Sequence, residues 1–233
     1  MTWIAPSPEL LAGQGLKPYP PGEIGGLFDW AENPGAGSVH AMPHAGELLV
    51  DIVSIEANAV HQPSKPDDEV VIVLGGVLEL TDDGTGPGTG IVQAFAKGEI
   101  VLIPKGWAGI YRCIPDEADF LEMAIVPFDY FEPRAPGPSG LSPRRIVMPE
   151  EGAHEFHRGR FAVEAQGSGT AWKAGFEQAG DEVILITLGT LALATEGKRE
   201  TFGPGRVVIM PRGITGSGET SADYRALAIT WLG

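Results

Sequence analysis

Glu69-Val70-Val71-Ile72-Val73-Leu74-Gly75-Gly76, followed by Gly98-Glu99-Ile100-Val101-Leu102-Ile103-Pro104-Lys105-Gly106, is where the fold becomes legible. Val70 to Leu74 and Ile100 to Ile103 are apolar at every position, which predicts short strands buried on both faces. Pro104 ends the second run, where its missing N–H is tolerated, and Gly106 permits the turn that follows. The pattern then returns. Glu182-Val183-Ile184-Leu185-Ile186 leads to Gly205-Arg206-Val207-Val208-Ile209-Met210-Pro211-Arg212-Gly213. Both copies keep Glu-x6-Gly (Glu69 to Gly76, Glu182 to Gly189) and then Gly-x5-Pro-x-Gly.

An internal repeat of this kind fixes the architecture before any single residue does. The copies are offset by 113 residues at the Glu and by 107 at the second glycine motif. The difference is absorbed by a longer turn-rich tip, Thr81 to Gly90, against Glu196 to Glu200 in the second copy. Phe95 and Phe202 hold matching places before the motif glycine. Between the copies, Pro127 to Gly140 carries four prolines and two glycines, a composition for a linker and not for a helix or inner strand. The expected division is 1–130 for an N-terminal extended arm and first barrel, 131–145 for a Pro-rich linker, and 146–233 for a second barrel.

The surrounding composition agrees with many short strands: 33 Gly and 20 Pro leave few long helical patterns. The chain of 233 residues can bury a self-sufficient core as one domain or two. Its net charge of -15, from 31 acidic and 16 basic residues, repels phosphate backbones and anionic headgroups. Nucleic-acid and membrane partners are therefore not expected. A single cysteine, Cys113, excludes an internal disulfide framework and suits a reducing compartment. Met1 to Pro8 has neither a basic nor an apolar signal region, and no apolar run nears the roughly 20 residues of a membrane span. A cytoplasmic protein is expected.

The paired motifs, in order and repeated, resemble those of the cupin superfamily. The resemblance covers roughly Leu49 to Val126 and Phe161 to Trp231 and implies a bicupin: all-β, two tandem antiparallel jelly-roll barrels. Pro104-Lys105-Gly106-Trp107-Ala108-Gly109-Ile110-Tyr111 is similar to the string of a metal-poor branch. That branch includes the ethanolamine-utilisation cupin and domains of unknown function. In metal-binding cupins a His-x-His precedes the Glu by four or five residues, and another His follows the last Gly by three. Here Gln62, Pro63, Ser64 and Lys65 fill the first places, and Gly109 and Gly216 the later one. No metal and no other cofactor is expected.

Two readings of Glu69 stand. An inward carboxyl in an apolar barrel would have a raised pKa and serve as a general acid or base. A carboxylate at the strand's start, after Asp68, would instead pair with a basic side chain at the rim; for Glu182, after Asp181, this second reading is preferred. If position 109 faces inward, strand alternation sends Trp107, Tyr111 and Cys113 inward too, and Arg112 outward. Trp107 and Tyr111 could stack on a planar or sugar-like ligand or simply fill volume. Cys113 has no cationic neighbour in sequence to activate it. His61 could reach the barrel mouth, though an exposed loop is preferred. His154 and His157 read as a surface turn, and His40 and His44 likewise as surface residues. In the second lobe Trp172 precedes Glu182, while Gly216 and Gly218 replace inward side chains, so the ligand site is expected in the first lobe.

The sequence thus leads to a metal-independent bicupin that binds a small polar metabolite in its N-terminal barrel. Glu69, Trp107 and Tyr111 are the main lining groups, with His61 and Cys113 beside them. The alternative is an isomerase, lyase or cyclase that uses Glu69 as general acid/base, an analogy with metal-free cupins that epimerise sugars. Apolar outer strand faces suggest a homodimer.

Overall fold

The structure, a computed structural model, describes residues 2–18, 38–55, 58–62, 64–82, 90–117, 119–130, 139–150, 153–168 and 176–233. A one-turn helix α1 (Pro8–Leu11) precedes β1 (Lys17–Pro18), β2 (Ser38–Ala45) and β3 (Leu48–Ile55). Then come β4 (Asn58–Gln62), β5 (Glu69–Gly75), β6 (Val77–Asp82) and β7 (Val92–Ala96). The first half ends with β8 (Ile100–Ile103), β9 (Gly109–Ile114), β10 (Phe120–Pro127) and β11 (Arg144–Ile146). The second half opens with β12 (His154–Arg158), β13 (Phe161–Gly167), β14 (Phe176–Glu177) and β15 (Glu182–Leu188). It closes with β16 (Leu191–Thr195), β17 (Lys198–Phe202), β18 (Val207–Met210), β19 (Thr215–Thr220) and β20 (Arg225–Trp231). The chain is all-β, as its motifs predict.

The strands form two compact units. In the first barrel (Glu9–Pro43 and Leu49–Ile146) the sheets run β1-β2-β3-β10-β5-β8-β11 and β4-β9-β6-β7. In the second (Met1–Pro8, His44–Leu48 and Val147–Gly233) they run β12-β13-β20-β15-β18 and β14-β19-β16-β17. The order β10-β5-β8 in one sheet matches β20-β15-β18 in the other, both antiparallel. A bulge skips Leu74 in the first copy and Thr187 in the second, the same place in the repeat. β8 and β18 are each flanked on their outer side by a segment from elsewhere in the chain. β11 pairs with β8, so the expected linker contains a strand, and Ile4 bridges to Ile209 beside β18. Residues 131–138 of that linker lie outside the described residues.

The apolar runs fill the interiors. Val71, Val73, Val101 and Ile103 join Leu78, Leu80, Phe95, Trp107 and Phe120 in the first core. Ile184, Ile186, Leu193, Phe202, Val208 and Met210 form the second, and Trp3 enters it from the N-terminal segment. Each such side chain contributes about 1.5–3 kcal/mol on burial. The alternates Val70, Ile72, Ile100 and Leu102 are buried as well. In β15 the run behaves differently: Leu188 projects into solvent past the bulge. The motif glycines serve the backbone. Gly76 and Gly189 both have positive φ, 74° and 68°, and a Cβ on Gly76 would meet the Ile114 carbonyl oxygen at 2.5 Å.

Several histidines are placed otherwise than expected. His154 and His157 lie on the edge strand β12, not in a turn, because β13 offers them a pairing partner. His40 and His44 belong to β2 and are partly buried: His40 Nδ1 lies 3.1 Å from Asp51 Oδ1, and His44 Nε2 lies 2.7 Å from Asp181 Oδ2. Asp181 is buried and accepts N–H bonds from Leu48 and Arg212; burial raises its carboxyl, but His44 and then these two bonds outweigh that and hold it below the ordinary range. Among the described residues, no helix is long and apolar enough to cross a membrane.

Candidate functional site

The position four residues before the motif glutamate is built the same way in both barrels. In the first, Lys65 donates its backbone N–H to the Trp107 carbonyl and accepts from Gly106 N–H, both at 2.8 Å. In the second, Gln178 donates to the Ile214 carbonyl at 3.0 Å and accepts from Gly213 at 2.8 Å. The Pro-x-Gly turn thus serves as a clamp that aims one side chain at the glutamate. A second lock repeats as well: Asp68 accepts the Lys105 N–H at 2.9 Å, and Asp181 the Arg212 N–H at 2.8 Å.

What the clamp presents differs. Lys65, only 1% exposed, places Nζ 2.5 Å from Glu69 Oε2, and that oxygen also accepts the Tyr130 hydroxyl at 3.1 Å. The ammonium lies 5.0 Å from the Tyr111 ring centroid and 5.9 Å from that of Tyr130, within cation–π range. From β10, Glu122 projects inward, 3% exposed, and accepts a short hydrogen bond from the Tyr111 hydroxyl. Burial first, and then the neighbouring Glu69 charge, push the Glu122 carboxyl up to about 8, against the opposing effects of Tyr111 and Lys65. Tyr111 and Tyr130 are both held far above the ordinary phenol range, chiefly by burial and then by the nearby carboxylates. One barrel end therefore gathers a lysine, its partner glutamate, a second carboxyl raised well above the ordinary range and two phenols.

The second barrel replaces that set with neutral groups. Gln178 Nε2 donates to Glu182 Oε2 at 2.5 Å, Gln166 Nε2 to Oε1 at 3.1 Å and the Thr230 hydroxyl to Oε1 at 3.4 Å. Burial still raises the Glu182 carboxyl, and these three donors lower it in part. The expected rim pairing with a basic side chain is not what holds Glu182: it is buried and surrounded by amides. Strand register gives the remaining counterparts. Glu122 opposes Val73 as Ala226 opposes Ile186, and Tyr111 corresponds to Gly218. Lysine, tyrosine and glutamate have become glutamine, glycine and alanine.

The other residues singled out from sequence divide. Trp107 is buried in the core, and its indole N–H donates to Asp82 Oδ1 at 2.7 Å. Cys113 is buried, with its thiol pushed up by burial and by Glu122, so the reactive thiolate is disfavoured. Arg112 is exposed and pairs with Glu79 at 3.3 Å. His61 lies in β4 with its side chain outside the described residues, and Trp172 lies outside them altogether. The sequence reading missed Lys65, Glu122 and Tyr130 as site residues.

The donor set does not suit the metal ion that the cupin resemblance associates with this place. Lys65, a cation, stands where an imidazole would be needed. At Gly109 a Cβ would meet the Thr81 carbonyl oxygen at 2.2 Å and Trp107 Cζ2 at 2.7 Å, so no ligating side chain fits. At Gly216 it would meet the Ala194 carbonyl oxygen at 2.4 Å. Among the described residues, no group of three or more His, Cys, Asp or Glu is arranged to hold a metal.

No family model and no curated protein matches the chain. Solved structures do. A Pseudomonas syringae protein of unknown function, assigned to DUF861, is 15% identical, with 98% of this chain and 99% of that one covered at a TM-score of 0.63. A cupin 2 conserved barrel domain protein from Leptotrichia buccalis is 10% identical over 90% and 98%, at 0.58. A variant of salicylate 1,2-dioxygenase from Pseudoaminobacter salicylatoxidans is 12% identical over 79% and 71%, at 0.55. At these identities the likeness is one of fold, and that fold is the cupin barrel.

Proposed function

We propose that the first barrel is a metal-independent site for a small polar metabolite, lined by Lys65, Glu69, Tyr111, Glu122 and Tyr130. The observation that carries this reading is the contrast between two otherwise repeated clamps. A buried ion pair with further ionisable neighbours is often less stable than an apolar filling of the same volume. The second barrel demonstrates that the same backbone accommodates its glutamate with neutral partners. Retaining five ionisable groups at one barrel end therefore needs a reason other than folding, and clusters of perturbed groups favour functional sites. Trp107, buried in the core and bonded to Asp82, supports this site as packing. We place the protein in the cytoplasm as a homodimer, on composition and on the apolar strand faces.

A second reading is favoured by one specific feature. Lys65 compensates the Glu69 carboxylate, while burial keeps Glu122 protonated at pH 7. Two carboxyl groups in opposite protonation states can serve as base and acid in one proton-transfer reaction. Glu69 is then the base and Glu122 the acid of an isomerase- or lyase-type step.

A thermal-shift screen against a metabolite set tests the binding reading, with wild type and Glu69→Gln compared. A midpoint rise in wild type that is lost in the variant supports the site. A rise that Glu69→Gln retains in full, with no turnover lost, removes it. Loss of turnover with affinity kept would favour the proton-transfer reading.

A further inference from the structure

We infer that Lys65 is the resident cation of the first barrel: its ammonium supplies from the chain itself the positive charge that faces Glu69, in place of a metal ion. The inference extends the ligand-site reading but concerns the ligand-free protein, so the two can fail separately.

Three observations meet here. The Lys65 backbone is held by two hydrogen bonds to the Gly106–Trp107 turn, so its side chain is aimed inward and not left to choose. Its ammonium is buried and lies 2.5 Å from Glu69 Oε2, with the Tyr111 and Tyr130 rings beside it. Contacts of that kind between oppositely charged groups are shorter and stronger than neutral hydrogen bonds. Finally, the position that would complete a metal's donor set, Gly109, has its side-chain space taken by the Thr81 carbonyl and the Trp107 ring. A divalent ion at Glu69 would have to displace the ammonium and would find too few donors among the described residues. The chemistry left at this barrel end is hydrogen bonding and proton transfer by Lys65, Glu69, Tyr111 and Glu122.

The test uses the whole chain, stripped with a chelator and dialysed. Wild type and Glu69→Gln are titrated with Mn2+, Zn2+ and Ni2+, followed by tryptophan fluorescence and thermal midpoint. The expected result is the same response in both proteins. One-to-one binding that raises the wild-type midpoint and disappears in Glu69→Gln would overturn the inference.

The second arm measures coupling. Lys65→Met should lower the midpoint by roughly 5–15 °C, and Lys65→Met/Glu69→Gln should recover at least half of that loss. Lys65→Gln, which copies the amide of the second barrel, serves in the same cycle should Lys65→Met fail to fold. Strictly additive losses in the cycle would show that the ammonium is not the counter-charge of Glu69 and would overturn the inference.

Discussion

The two barrels solve one structural problem in two ways. Each must bury a glutamate at the start of its central strand, and each uses the turn after Pro104 or Pro211 to hold a partner four residues upstream. In the second barrel that partner is Gln178, helped by Gln166 and Thr230, three uncharged and partly buried donors. In the first it is Lys65, with Tyr130 donating to the same glutamate and the hydrogen-bonded Tyr111 and Glu122 pair close by. The difference teaches that the glutamate itself is not diagnostic. Its surroundings separate a carboxyl that completes a hydrogen-bond network from one placed among groups able to move protons.

The largest break in this comparison comes from removing the charge partner alone. Lys65→Met is expected to cost about 3–5 kcal/mol, because it strands a buried carboxylate. Gln178→Met, at the matching place, is expected to cost about 1–3 kcal/mol, the loss of a neutral donor. Chemical denaturation of both variants checks the ranking. Equal costs would remove the distinction between the two clamps.

Next in size is the pH dependence. Glu122 has a folded-state pKa raised from 4.5 to about 8, so between those values the folded state holds a proton that the unfolded state has released. Stability from this group is therefore lost as pH rises from about 4.5 to 8, by on the order of a few kcal/mol. Glu122→Gln should flatten that slope and be relatively more stable at pH 8 than at pH 5. Denaturant melts across this range provide the check, and an unchanged slope would contradict the placement of Glu122.

A similar-sized effect is expected in the second barrel from Trp3, which packs edge-on to Phe202 at 6.2 Å and donates its indole N–H to Glu200. Trp3→Ala should cost about 3–5 kcal/mol through the cavity it leaves. The smallest effect is expected at Glu182. Glu182→Gln loses at most one acceptor and relieves a raised carboxyl, so its cost should stay near 1 kcal/mol. A much larger loss there would show that the second glutamate also holds a charge-dependent role.

Much of the fold was legible because it rests on backbone needs: positive-φ glycines, strand-ending prolines and apolar runs with the period of a buried strand. Glu69 and Tyr111 were legible by spacing and alternation. Lys65 was not, since Gln62-Pro63-Ser64-Lys65-Pro66-Asp67-Asp68 reads as a polar exposed loop. Only its fixed distance from Glu69 hinted otherwise, and the clamp that buries it is made by Gly106 and Trp107, far along the chain. Glu122 was missed because Phe120-Leu121-Glu122-Met123-Ala124-Ile125-Val126 reads as an apolar strand. A lone charge on the inward phase of such a strand is the signal to look for. Tyr130 lies in the turn after β10, where no periodicity reports which way a side chain points. His154 and His157 erred in the opposite direction, because edge pairing overrode the turn-forming glycines beside them.

The central claim, that the first barrel is the metal-independent ligand site and the second is not, is tested most directly by one comparison. Thermal-shift profiles against a common metabolite set, in the presence of chelator, would be recorded for wild type, Glu69→Gln and Glu182→Gln. The account predicts a ligand-dependent rise in wild type and Glu182→Gln that Glu69→Gln lacks. A rise abolished by the chelator, or lost in Glu182→Gln while Glu69→Gln keeps it, would contradict the account.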